Sequence, residues 1–214
     1  MVRIAPTPAA FRAAVDAYSF DAPPLAVGSR PLLLVGEAHG VGSRVPALLA
    51  RLARELAATA LAFEWSHEEL DPLLDAFLER GAFDLEALWR LPPDAEVFAG
   101  DGRFTAGHVA LLERQWRAGR LGQVIAVDRL DPEPPAPWHE RERDLAGRLL
   151  GQWDRSRPLL AVVGAAHAVR APGTMADLLA VEGAMFDYGR EVEMPPAVLT
   201  FPVPPGPPPV VPGR

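Results

Sequence analysis

Cysteine is absent from the 214-residue chain, and so is lysine: all 21 residues of the Lys+Arg total are arginine. Without cysteine there can be no disulfide, no thiolate metal ligand and no thiol nucleophile. The missing lysine, beside abundant alanine, glycine and proline, reads as codon bias in a GC-rich genome rather than as function. No apolar run approaches the ~18 residues of a membrane-spanning helix, and the opening "MVRIAPTPAAFRAAVDAYSF" lacks a continuous apolar segment of the secretory kind. A cytoplasmic protein with no membrane partner is expected. With a formal net charge of -7, the chain shows no electrostatic footprint for nucleic acid either. What it does have is core: 49% of its residues are hydrophobic, enough for one sizeable domain.

Four short runs are apolar throughout rather than alternating, as in strands covered on both faces: Leu32 to Val35, Ala60 to Phe63, Val124 to Val127 and Leu159 to Val163. Stretches of helical spacing separate them. Ser43 is placed to cap "RVPALLARLARELAAT", whose Leu48, Leu52 and Leu56 form an apolar stripe. "EELDPLLDAFLERG", with Pro72 in its opening turn, and "DLEALWRL" predict two shorter helices. "TAGHVALLERQWRAGR", "HERERDLAGRLLGQW" and "GTMADLLAVEG" predict three more. This alternation predicts an α/β domain over 1–201, with a mostly parallel sheet, helices on both faces and the site at the carboxyl edge of the strands. "AVLTFPV" suggests an added edge strand, and 202–214 is a Pro-rich segment that sustains neither ladder nor helix.

The chemistry gathers where the apolar runs stop. The first ends in Gly36-Glu37-Ala38-His39, the second in Glu64, the third in Asp128-Arg129 and the fourth in Gly164-Ala165-Ala166-His167. In a parallel sheet these ends share one edge, where ligands bind. A single histidine after a strand is most often a loop or capping residue. Two Gly-x-x-His endings beside two or more carboxylates on one rim favour a functional reading. Other features have plainer readings. Glu64-x-x-His67 has helical metal-ligand spacing, but a solvated helix start is the simpler account of His67, Glu68 and Glu69. His108 reads as a packed or surface histidine. The "HERERD" run reads as a charged first turn from which Arg141 or Arg143 can reach the rim. No Gly-x-Ser-x-Gly nucleophile motif is present, and "GVGSR" is too irregular for a phosphate loop.

With "GEAH" at Gly36 to His39, "FE" at Phe63-Glu64 and "GAAHA" at Gly164 to Ala168, the chain resembles the superfamily that joins erythromycin esterase, the Tiki/TraB proteases and the ChaN-like haem-binding proteins. "DGRFTAGHVALLER" from Asp101 and "RERDLA" from Arg141 are similar to its small bacterial members. The resemblance implies an α/β fold with His39, His167, Glu64 and Arg141 in one cleft. Asp101 and Arg103 match a family motif. Leu145 stands where methionine is common, and a lipoprotein signal is lacking, a departure from the secreted haem-uptake members.

The leading expectation is a hydrolase of an ester or amide bond in a small-molecule or peptide substrate. One imidazole, His39, takes a proton from water, with Glu37 or Glu64 fixing its tautomer. His167 orients the water or protonates the leaving group, an arginine stabilises the developing oxyanion, and Asp101, Arg103 and Asp128 support the site. The same His39, Glu64 and His167 also form a three-ligand set for a divalent metal such as Zn, Mn or Co. Two alternatives stand beside the hydrolase: haem or metal binding without turnover, and a non-catalytic biosynthetic partner.

Overall fold

The computed structural model describes residues 7–21, 31–37, 45–99, 101–130 and 136–181. Its elements run α1 (Pro8–Asp16), β1 (Leu32–Glu37), α2 (Val45–Glu55), β2 (Ala60–Ser66), α3 (His67–Arg80), α4 (Leu85–Leu88), α5 (Ala106–Arg117), β3 (Gln123–Asp128), α6 (Trp138–Gln152), β4 (Leu159–Gly164), α7 (Ala165–Ala168) and α8 (Met175–Val181). A single 3-10 turn, Glu96–Phe98, lies between α4 and α5.

The four apolar runs are the four strands, and they form one sheet in the order β1-β4-β2-β3 with every pairing parallel. Alternate residues of each run enter different cores. Leu33, Val35, Leu61, Phe63, Ala126, Leu160 and Val162 pack with residues of α1, α2, α3 and α5. Leu32, Leu34, Ala60, Ala62, Ile125, Val127, Leu159, Ala161 and Val163 pack with Leu145, Leu149, Met175 and Leu179 from α6 and α8. The chain steps outward from β1 to β2 to β3 and then returns to place β4 between β1 and β2. Reversing direction carries α6 to the other face, as a crossover of constant hand requires.

Three features depart from the sequence expectation. Pro72 lies in the second turn of α3, not its opening turn, because the helix begins at His67. The N-terminal stretch forms α1, started by the Thr7 side chain accepting the Ala10 N–H (3.1 Å) with Pro8 at the first helical position. The fourth strand does not run into a loop; it turns directly into the single-turn helix α7, which carries His167. Among the described residues no helix is long and apolar enough to cross a membrane. The Ser43 cap, the "AVLTFPV" strand, the 1–201 boundary and the 202–214 segment lie outside the described residues.

Candidate active site

Parallel pairing brings all four strand ends to one edge. At β2 the pairing with β3 shifts register between Phe63 and Ser66, the kind of irregularity that re-aims a side chain beside a site. Phe63 and Trp65 stay on one face, their rings stacked at 4.1 Å, and project into the aromatic core. Glu64 between them projects toward the other face. It is 4% exposed, and its Oε2 accepts the N–H of Gly164 at the end of β4.

Glu64 Oε1 is the hub of the edge. His167 Nε2 lies 3.5 Å from it, Arg141 Nη2 3.4 Å and Arg103 Nη1 3.6 Å. Asp128, at the end of β3, joins the same two arginines, 2.5 Å from Arg141 Nη2 and 3.6 Å from Arg103 Nη1. Arg103 is held in turn by Asp101 (Nε to Oδ2, 2.5 Å) and Glu96 (Nη2 to Oε1, 2.8 Å). Its carbonyl accepts the indole N–H of Trp65 at 2.7 Å, which anchors the loop to the aromatic core. Burial opposes the Arg103 charge, yet Glu96, Asp101 and Glu64 raise its pKa further. Burial pushes the Asp128 carboxyl up, against the pull of Arg141, and pushes Glu96 up against Arg103.

His167 is nearly buried, with both ring nitrogens facing carboxylates. Nδ1 bonds Glu142 Oε1 at 2.6 Å, and Glu142, itself 0% exposed, also accepts the Met175 N–H through Oε2. Burial disfavours the imidazolium, but the bonds to Glu142 and Glu64 outweigh it and push the pKa up to about 9. At neutral pH His167 is therefore a cation, with N–H donors on both sides. Trp138 covers its ring face to face, centroids 4.7 Å apart and 10° from parallel.

Glu64, His167, Arg141, Asp128, Arg103 and Asp101, all named from sequence, thus form one connected network. Glu37 is buried at the same edge, in register with Gly164. His39 lies outside the described residues. Arg141, not Arg143, reaches the rim; Arg143 instead donates to the carbonyl of His139 at 3.2 Å on its own helix. His67 faces Glu68 at 3.5 Å, and no Glu64–His67 metal pair forms among the described residues. Glu68 and Glu69 are more than a solvated helix start. Glu69 accepts the N–H groups of Glu96 (2.9 Å) and Val97 (3.2 Å), and Glu68 accepts that of Leu130 (3.2 Å).

Three contributors were not read from the sequence: Glu142, Glu96 and Trp138. Glu142 left a signal. It shares the buried stripe of α6 with Leu145, Ala146 and Leu149, at helical spacings of three, four and seven, so the "HERERD" run is only partly a solvated turn.

A divalent metal does not fit the described part of this edge. The Glu64 Oε1 that would ligate it already faces two guanidiniums, and a cation there would meet two like charges at close range. A haem iron on His167 Nε2 would have to sit against the same cluster.

No family model matches the chain, and no curated protein matches it. Among solved structures it is similar to RRSP, a MARTX toxin effector domain from Vibrio vulnificus CMCP6, with TM-score 0.43 and 20% identity, covering 64% of this chain and 28% of that one. A second, described as bacterial protein toxins, gives TM-score 0.45 and 18% identity over 67% of this chain and 30% of that one. The chain spans less than a third of the length of either. Likeness of this degree is too slight to carry a statement about chemistry.

Proposed function

We propose that the chain is a hydrolase, cytoplasmic in location, that splits an ester or amide bond in a small-molecule or peptide substrate at the carboxyl edge of its sheet. The observation that carries this reading is the placing of His167, its Nδ1 2.6 Å from buried Glu142 and its Nε2 turned to the rim 3.5 Å from Glu64, beside two arginines. A positioned acid with fixed cations around it is what cleavage of an acyl bond needs. His39 takes a proton from water with Glu37 or Glu64 as its carboxylate partner, and the water oxygen bonds to the acyl carbon. Arg141, steadied by Asp128, stabilises the oxyanion, while Arg103 and Asp101 hold the array. As the acyl bond breaks, Nε2–H of His167 passes its proton to the leaving oxygen or nitrogen. The superfamily resemblance of the "GEAH", "FE" and "GAAHA" motifs implies the same residues, His39, Glu64, Arg141 and His167, in one cleft.

A panel of chromogenic esters and short peptides tests the proposal. Turnover of at least one compound, lost in both His39→Ala and His167→Ala while the folded signal remains, is expected. Activity that survives His167→Ala in a folded protein overturns the assignment.

A further inference from the structure

Beside the outer strand β3, between His67 and the long side of α6, lies a cleft of about 490 Å³, within the size range of ligand sites. Asp128 and Arg141 line it and also belong to the catalytic network, so whatever occupies the cleft abuts the site. The protein carries a net charge of -7, yet the cleft is lined by four arginines (129, 141, 143 and 148) against two aspartates (128 and 144). Both aspartates are already matched, Asp128 by Arg141 and Asp144 by Arg129 at 2.9 Å. Arg148 is spent on structure: its Nε donates to the Ala126 carbonyl at 2.7 Å and its Nη2 to Asp71. Arg143 meets only the carbonyl of His139, and among the described residues no carboxylate pairs with it.

The helix face that carries Arg143 is otherwise bare. Gly147 and Gly151 stand one turn apart on α6, both lining the cleft, and a Cβ at either would meet no atom within 4 Å. Glycine weakens a helix interior relative to alanine. Packing does not require it at either position. Unmatched positive charge and a bare helix face therefore occur together, next to the reacting groups.

We propose that this cleft is the subsite for an acidic group of the substrate, a carboxylate or a phosphate, with Arg143 as its counter-charge and Gly147 and Gly151 as the space it fills. The acidity of the ligand stands on the cleft alone; that the ligand is a substrate rests on the hydrolase reading above.

Calorimetric titration of the full chain at low ionic strength, with inorganic phosphate and separately with succinate, tests the subsite and distinguishes the two acids. At least one binds. Arg143→Ala weakens it about threefold, the worth of one exposed charge pair, and Arg143→Glu weakens it more. Gly147→Leu, which replaces glycine by a better helix former, abolishes binding without lowering the melting temperature. Arg90→Ala, the same charge change just after α4, leaves binding as it was. The proposal is overturned if neither acid binds, if Arg90→Ala weakens binding as much as Arg143→Ala, or if folded Gly147→Leu binds normally. A second arm compares 4-nitrophenyl hemisuccinate with 4-nitrophenyl propanoate, which differ by one carboxylate. In each, water adds to the acyl carbon and the nitrophenolate leaves. Preference for the hemisuccinate, reduced in Arg143→Glu, is expected; hydrolysis without preference counts against the cleft as a substrate subsite. Binding as expected with every ester and peptide inert keeps the anion site and refutes the hydrolase reading instead.

Discussion

Two regions of this protein bury an imidazole, and they give it opposite charges. In the aromatic core His108 is 0% exposed, edge-on to Phe63 and Trp65 with centroids 5.6 and 5.8 Å away, and its Nδ1 meets only the hydroxyl of Thr105 at 2.9 Å. Burial alone pushes its pKa down to about 3. At the carboxyl edge His167 is 5% exposed, almost as deep, but two carboxylates face its nitrogens and its pKa rises to about 9. Burial raises the stakes of a charge without deciding its sign; the partners decide that. The same face-to-face difference separates a packing histidine from one equipped for proton transfer.

The largest expected effect tests that separation directly. His167→Ala should lower turnover by ~10²–10⁴-fold, the usual worth of a positioned acid or base. His108→Leu should leave kcat within a few-fold. If His39 and His167 act as one unit, the His39→Ala, His167→Ala double variant should be little worse than either single, measured as kcat/KM. Multiplicative losses would mean that they act apart. Next in size, Arg141→Ala should cost about 10²-fold in kcat, as loss of an oxyanion donor does. Arg143→Ala should cost less on the same substrate, because it lies outside the Glu64–Asp128 network. Equal losses would return both arginines to a merely electrostatic role.

The two histidines also bracket stability from opposite sides. A raised pKa gives its full stabilisation below the unfolded value of ~6.5 and loses it as pH climbs through about 9. His167 should therefore impose an alkaline decline on the order of 3 kcal/mol. A lowered pKa does the reverse: His108 costs nothing above ~6.5, and stability falls as pH drops below that toward about 3. By pH ~5 its share should be about 2 kcal/mol. Denaturant midpoints across pH should show His167→Gln flattening the alkaline limb and His108→Leu the acid limb. A variant that flattens the wrong limb would refute the assigned charges. Smaller still, Glu142→Gln keeps the shape of the Glu142–His167 contact while removing its charge, so imidazole NMR should place the His167 pKa below that of the parent. Removal of metal should do least: activity is expected to survive dialysis against EDTA, and its loss with recovery on adding one divalent ion would restore the His39–Glu64–His167 ligand set.

Much of the scaffold was legible because its signals are local. An uninterrupted apolar run such as Leu159 to Val163 belongs to a strand covered on both sides, whatever covers it. Four such runs separated by helical spacing leave few arrangements besides a parallel sheet. That sheet puts Glu64, Asp128 and His167 on one edge before any contact is known. The helix starts were harder to place: Pro72 and the α1 stretch depend on which residue takes the first turn, a matter of small energy differences. Glu142 was legible in principle, from the stripe it shares with Leu145, Ala146 and Leu149, but its charge made a solvated turn look simpler.

The sequence by itself determined the sheet, its two cores and the edge where polar residues collect, because side-chain periodicity follows from backbone geometry within a few residues. Only the tertiary structure decided what those residues are. Glu142 meets His167 across 25 positions of chain and Arg141 meets Glu64 across 77. The charge of an imidazole depends on such neighbours through a distance-dependent Coulomb term that no local pattern encodes. Arg143, Gly147 and Gly151 share one stripe of α6 by spacing alone, but only the fold sets that stripe beside the end of β3 and makes a cleft of it.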